Sequence, residues 1–254
     1  MTFGLVQRWR QGAVRLWSRP DWVAALGPDY ARQIMDVQLT DRTHAKQGRS
    51  TGRLILHSPE AAVRVYLKRH RELPWWQRWL ALLWPSGGWS PGWTEFRQLR
   101  WAQAVGLAVP APAAVGELIG PGLRLQSFLA IDELIDMVPL NEAVAVAESE
   151  LDQPAFQNWK RCATLELARL ARLLHGYRRY HKDLYLCHFF VKRPTPNDQG
   201  PRPGDMFMID LHRMRHHRLT GWYWRIKDLA QLLYSSELPQ VTVWDRVRFF
   251  RAYL

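Results

Sequence analysis

The stretch between residues 157 and 213 constrains the fold of this chain more than any other part of it. Trp159, Cys162, Leu165, Leu170, Leu174 and Tyr177 recur at roughly helical spacing, which predicts a long helix over 157–179. That helix runs directly into His181, Lys182 and Asp183, and His188 follows Asp183 by five residues. The apolar run HFFVK, a Pro/Gly-rich turn over 194–204 and the second run MFMIDLHR then predict a hairpin. Asp210 stands at its far end. One helix is thus followed by two carboxylates, Asp183 and Asp210, on one loop-and-hairpin system.

The chain has 254 residues, enough for one large domain or two small lobes. Hydrophobic residues make up 47%, which excludes a disordered chain. Cys162 and Cys187 are the only cysteines, so a disulfide framework is excluded and a reducing compartment is the simplest reading. No apolar run reaches the roughly 18 residues of a membrane span. Arg8, Arg10 and Arg15 interrupt the N-terminus, which breaks the core a signal peptide needs. A soluble or peripheral protein inside the cell is expected. The formal charge of +12 calls for an anionic partner: nucleic acid, anionic lipid or a phosphorylated substrate. The chain carries no recognisable nucleic-acid-recognition module, so no nucleic-acid partner is expected.

Residues 1–29 read as a basic helical segment carrying Trp9 and Trp17, its helix followed by a loop. The runs RLILH and VRVYLK alternate as strands, with Pro59 and Glu60 in the turn between them. Gly48 and Gly52 lie just before, in a turn. Residues 74–93 hold six of the 14 tryptophans. A helix ending at Gly106 follows, then a strand over 123–134, a short helix over 139–147 and helices over 222–236 and near the C-terminus. Strands with one helix, then mostly helices with one hairpin, predict an α+β architecture of two unequal lobes. The smaller spans 30–135, with the Trp-rich insert at 74–93, and the larger 136–254.

The spacing of His181, Asp183, His188 and Asp210 matches the catalytic loop and metal-binding segment of kinases. Phosphoryl transfer needs Mg²⁺ on the phosphates, a carboxylate to orient the attacking hydroxyl and accept its proton, and a cation on the phosphates. Asp183 fits the base, Asp210 the main Mg²⁺ ligand, and His181 a brace for the loop. His188 stands where protein kinases have a metal-binding Asn, and imidazole is a poorer Mg²⁺ ligand than an amide oxygen. Upstream, Lys68 fits the phosphate-binding lysine and Glu95 its ion-pair partner. Gly48 and Gly52 fit the backbone turn over the phosphates. The backbone of Asp132 and Leu134 fits an adenine-binding hinge.

The segments HKDLYLCHFFV, MIDLHRMRHHR and WRIKDLAQLLYSS resemble the bacterial lipopolysaccharide kinases, the group that includes the core heptose(I) kinase and the Kdo kinases. The resemblance covers roughly residues 45–254, and His188 is then that family's own form of the loop. It implies a two-lobed protein-kinase-like fold with a small β-rich N-lobe and a compact helical C-lobe. It implies ATP and Mg²⁺ as cofactors, and transfer of phosphate to a heptose or Kdo hydroxyl of the inner core on lipid A. It also implies work at the cytoplasmic face of the inner membrane.

Other features divide between structure and function. Asp228 reads as a buried carboxylate bracing the catalytic loop, which is also its implied family role. Arg213, Arg215 and Arg218 suit the anionic groups of the glycolipid as well as they suit a solvated basic loop. Trp75, Trp76, Trp79 and Trp84, beside Arg71 and Arg78, suit a bilayer interface as well as a small hydrophobic cap. A kinase for protein or another small molecule, and a nucleotide-binding pseudokinase or membrane-associated scaffold, are the alternative readings.

Overall fold

The computed structural model describes residues 5–39, 42–46, 48–57, 62–84, 88–120 and 124–254. The expected turn at Pro59 and Glu60 lies outside them. The chain forms two compact units, residues 1–100 with 110–133, and residues 101–109 with 134–254.

The first unit runs α1 (Leu5–Gln11), β1 (Ala13–Ser18), α2 (Pro20–Leu26), α3 (Tyr30–Asp36), β2 (Arg42–Lys46), β3 (Arg49–His57), β4 (Ala62–His70), α4 (Trp75–Leu83), α5 (Pro91–Ala104), β5 (Pro112–Gly120) and β6 (Arg124–Asp132). Its strands form one antiparallel sheet in the order β1-β5-β6-β4-β3-β2. The central strands β4 and β6 bury Val65, Leu67, Phe128 and Ala130 against Trp22, Tyr30 and Ile34 from α2 and α3.

The N-terminal segment departs from the expected helix and loop. Gly12 takes φ 78° and ends α1, and a Cβ there would clash with Ile119 O. The chain then continues as an edge strand paired with β5, Ala13 opposite Ile119. Its pattern is inverted, which hid it: Val14 and Leu16 are exposed, while Arg15 turns inward and lays its guanidinium 4.0 Å over the Trp93 ring. Gly52 also departs from expectation. Gly48 sits at the β2–β3 turn with φ 72°, but Gly52 lies inside β3, in register with Leu67.

The second unit runs β7 (Met137–Pro139), α6 (Leu140–Glu150), α7 (Gln153–Gly176), β8 (Arg179–Tyr180), β9 (Phe189–Lys192), β10 (Phe207–Met208), β11 (Arg215–His216), α8 (Gly221–Ser235) and α9 (Val243–Tyr253). Helix α7 starts earlier than the apolar period suggests, because Asp152 caps it: its Oδ1 accepts from Ala155 N at 2.8 Å. Phe156, Trp159, Ala163, Leu167, Leu170 and Leu174 form its buried stripe. Strands β9 and β10 form the expected hairpin, and β7 joins it on the other side of β9.

A buried cation ties α3 to the first unit's sheet. Arg69 is 1% exposed. Its Nη1 donates to the carbonyls of Ile34 (3.1 Å), Met35 (3.1 Å) and Val37 (2.7 Å), and its Nε donates to Ser50 Oγ at 3.1 Å. These carbonyls close the C-terminal end of α3, where a helix carries partial negative charge and unpaired acceptors. Arg69→Met should therefore lower the unfolding free energy by about 2–4 kcal/mol, read from urea denaturation. A change below about 1 kcal/mol would contradict this account of the cap.

Candidate active site

In the first unit, Lys68 sits mid-strand on β4 and Glu95 in the second turn of α5. Lys68 Nζ lies 2.6 Å from Glu95 Oε1, with the side chains 12% and 4% exposed. The pair is short and largely removed from water, so the ammonium is held in one place rather than sweeping the surface. The N–H of Asp132 is committed, because it donates to Ala111 O at 2.8 Å. The Asp132 carboxylate is held by Arg19, at 2.7 and 2.8 Å. The expected use of the Asp132 backbone toward adenine therefore does not extend to its N–H, which is taken up within the sheet.

In the second unit, residues 181–183 form the loop after β8. Asp228 of α8 is fully buried and pins that loop. Its Oδ2 accepts from His181 N and its Oδ1 from Lys182 N, both at 2.8 Å. His175 Nε2 lies 3.2 Å from Oδ2, and Tyr253 OH lies 2.8 Å from His175 Nδ1. Lys182 needs this support, since it sits at φ 71°, a region costly for a side-chain-bearing residue. Burial, reinforced by Arg215, Arg213 and Lys227, holds its ammonium below the ordinary lysine value. The Lys182 Nζ rests 3.9 Å over the Trp224 ring.

The histidines have assignable roles. Burial holds His181 below the ordinary imidazole value, so the ring is neutral at pH 7 and its Nε2–H donates to Ile209 O at 3.0 Å. His181 thereby links the catalytic loop to the residue before Asp210, and its ring stacks on His188 at 5.5 Å. His188 Nδ1 donates to Asp183 O at 2.7 Å. A carbonyl can only accept, so in the neutral ring Nε2 keeps its lone pair. That nitrogen lies 4.0 Å from Asp210 Oδ2. Asp210 takes φ 61° and ψ 49°, and its Oδ1 accepts from His212 Nδ1 at 2.6 Å. His181, Asp183, His188 and Asp210 thus share one hydrogen-bonded and stacked loop system.

Three contributions were not read from the sequence. Gln231 Oε1 accepts from Leu184 N, and its Nε2 donates to Lys182 O, both at 3.2 Å. Ser235 Oγ accepts from Leu186 N at 3.0 Å. With Asp228 these make one face of α8, three and four residues apart, and that spacing was the available signal. Arg213 Nη1 donates to both oxygens of Asp183 at 2.8 Å. Arg215 instead donates to the carbonyls of His212 and Met214, at 3.0 and 2.8 Å, and Arg218 is exposed.

Comparison with known proteins decides the family. Residues 87–253 match the lipopolysaccharide kinase (Kdo/WaaP) family. The chain belongs to that family. It is 29% identical over 208 residues to the lipopolysaccharide core heptose(I) kinase WaaP of Pseudomonas aeruginosa, covering 80% of this chain and 74% of that protein. The WaaP of Escherichia coli is 28% identical over 174 residues, covering 68% of this chain and 63% of that protein. A solved structure of WaaP in complex with acyl carrier protein superposes with a TM-score of 0.68 at 26% identity, covering 94% of this chain and 88% of that one. The fold is protein-kinase-like and the chain is a lipopolysaccharide kinase, which implies ATP as phosphate donor.

The residues of this lipopolysaccharide kinase suit Mg²⁺ brought in by a nucleotide. Among the described residues no three His, Cys, Asp or Glu side chains gather into a metal cage. Mg²⁺ does not need one, since it keeps waters and phosphate oxygens and takes one or two protein groups. The partly exposed Asp210 carboxylate, with the His188 lone pair facing it, is such a partial set.

Asp228→Asn preserves shape but turns an NH₂ toward a backbone N–H. Kinase turnover should fall on the order of 100-fold through misplacement of Asp183, with about 2–4 kcal/mol lost in stability. Gln231→Leu should cost about 1 kcal/mol. Wild-type turnover by Asp228→Asn would show that the loop does not depend on α8.

Proposed function

We propose that the chain transfers the γ-phosphate of ATP to a sugar hydroxyl, on heptose or Kdo, of the lipopolysaccharide inner core. The observation that carries this reading is the grouping of His188 and Asp210 beside Asp183, whose loop is fixed by Asp228, in a chain of the lipopolysaccharide kinase family. Lys68, held by Glu95, would neutralise the nucleotide's phosphates. Asp210 and His188 would hold Mg²⁺, which when bound offsets charge on the phosphate oxygens. Gly48, at its turn, would bring backbone close to the phosphates.

Asp183 would orient the attacking hydroxyl and take its proton. Its carboxylate is engaged by Arg213, so one oxygen must turn from the guanidinium to the hydroxyl. Arg213 cannot serve as the base, because guanidinium stays protonated. It would instead pair with an anionic group of the acceptor while staying beside Asp183, with Arg215 and Arg218 extending the cationic surface. A glycolipid acceptor lives at a membrane. No helix of the described residues is long and apolar enough to cross one. The tryptophans of α4 are exposed, 71% for Trp75 and 48% for Trp76, and would lie among the headgroups at the cytoplasmic face of the inner membrane.

A second partner reading rests on the second unit. It holds an apolar pocket lined by Leu140, Val144, Trp159, Leu167, Leu232 and Phe249. The related WaaP was solved with acyl carrier protein. We infer that this pocket suits an acyl chain and that such a carrier is a candidate partner.

Steady-state transfer from labelled ATP to inner-core glycolipid tests the assigned roles. Asp183→Asn should lower kcat by about 10²–10⁴ with the ATP KM little changed. Lys68→Met should raise the ATP KM, and Asp210→Asn should abolish stimulation by Mg²⁺. A variant of Asp183 as active as wild type would remove it as the base. ATP binding without transfer to any core acceptor would favour a pseudokinase.

A further inference from the structure

Helix α8 has two faces of opposite character. Asp228, Gln231 and Ser235 hold the catalytic loop from one side. The other side is apolar and bare: Trp222 is 68% exposed, Tyr223 51% and Ile226 60%, and Leu219 just before the helix is 92% exposed. At about 100° per residue Trp222, Tyr223 and Ile226 fall on one stripe roughly 100° wide, which Leu219 precedes. Arg225 and Lys227 fall on its two borders. From Leu211 to Lys227 the sequence holds five Arg and Lys and no Asp or Glu.

We propose that this outer face of α8 is the surface on which the second unit lies on an anionic lipid bilayer. Aromatic and branched side chains projecting as a ridge suit insertion among headgroups, where Trp and Tyr satisfy both apolar and polar neighbours. The exposed Arg225 on one border reaches anionic headgroups at the depth where such a helix rests. The Arg225 border, together with the absence of any Asp or Glu from Leu211 to Lys227, favours a negative surface. The consequence for catalysis is positional. The same helix that touches lipid holds the His181–Asp183 loop on its opposite side, by side chains that accept from the loop's backbone N–H groups. Docking would therefore hold that loop one helix diameter, roughly 10 Å, above the lipid-facing stripe, on the side to which the core sugars of a glycolipid project. This deepens the glycolipid-kinase reading and rests on it for its purpose only, because binding is measured without phosphoryl transfer.

The test is flotation of the full chain with vesicles of phosphatidylcholine alone or with about one-third phosphatidylglycerol. Wild type should bind the anionic vesicles. Trp222→Ser with Ile226→Ser, and separately Arg225→Glu, should each weaken that binding roughly tenfold or more. These side chains are exposed, so both proteins should keep their thermal transition. Both should keep wild-type turnover on a water-soluble core oligosaccharide, and both should show a raised KM on acceptor embedded in vesicles. Unchanged vesicle binding by both variants would overturn the proposal. So would a loss seen only in Trp75→Ser with Trp76→Ser, which would assign the membrane contact to α4 alone. Capture of an acyl carrier protein that these α8 substitutions abolish, with vesicle binding intact, would also overturn it and make the face a protein-docking site. Failure of transfer with vesicle binding intact would count against the kinase reading and leave this one standing.

Discussion

A single buried carboxylate organises the catalytic half of this protein. Asp228 has no solvent exposure and faces two backbone N–H groups that no strand or helix satisfies. Without it, two buried donors would be stranded and Lys182 would have little reason to hold a positive φ. With it, the loop is fixed from below by α8, and Gln231 and Ser235 repeat the same contact along one face. The chemistry follows from that restraint. Asp183 is placed by the loop, His188 by the Asp183 carbonyl, and the residue before Asp210 by His181.

The first unit uses the same device with other residues. Arg69 is buried and saturated by helix-end carbonyls, and Lys68 is drawn to Glu95 across a short, shielded gap. Neighbouring residues on β4 therefore point opposite ways, one to the end of α3 and one to Glu95 of α5. Charge in this chain is thus of two kinds. A few cations and anions are buried and paired, and they set the positions of loops and helices. The rest of the excess includes the five cations from Arg213 to Lys227, a stretch with no Asp or Glu, and suits anionic material.

Much of this was legible in the sequence because linear spacing carries it. Helix α7, the following hairpin and the positions of Asp183, His188 and Asp210 lie within one continuous stretch, where period and spacing are direct signals. Lys68 and Glu95 were readable as a pair only because the catalytic loop implied that both should exist. The remainder depends on contacts that spacing does not encode. Strand β1 escaped because its inward position is an arginine, legible as core only once Trp93 is seen beneath it. Gln231 and Ser235 look like solvent-facing residues until the loop they hold is in place. The Arg213–Asp183 contact spans 30 residues and belongs to the fold. Gly52 shows the opposite error, a glycine assigned to a turn that the strand register absorbs.

Transfer of phosphate to a sugar of the lipopolysaccharide core is the activity to be measured. The most direct measurement is mass spectrometry with ³¹P NMR on a dephosphorylated inner-core glycolipid incubated with the protein and MgATP. The account predicts one new phosphomonoester on a heptose or Kdo residue, formed in step with ADP. ATP consumed with no ester on the glycolipid, or an ester formed only on a different class of acceptor, would contradict it.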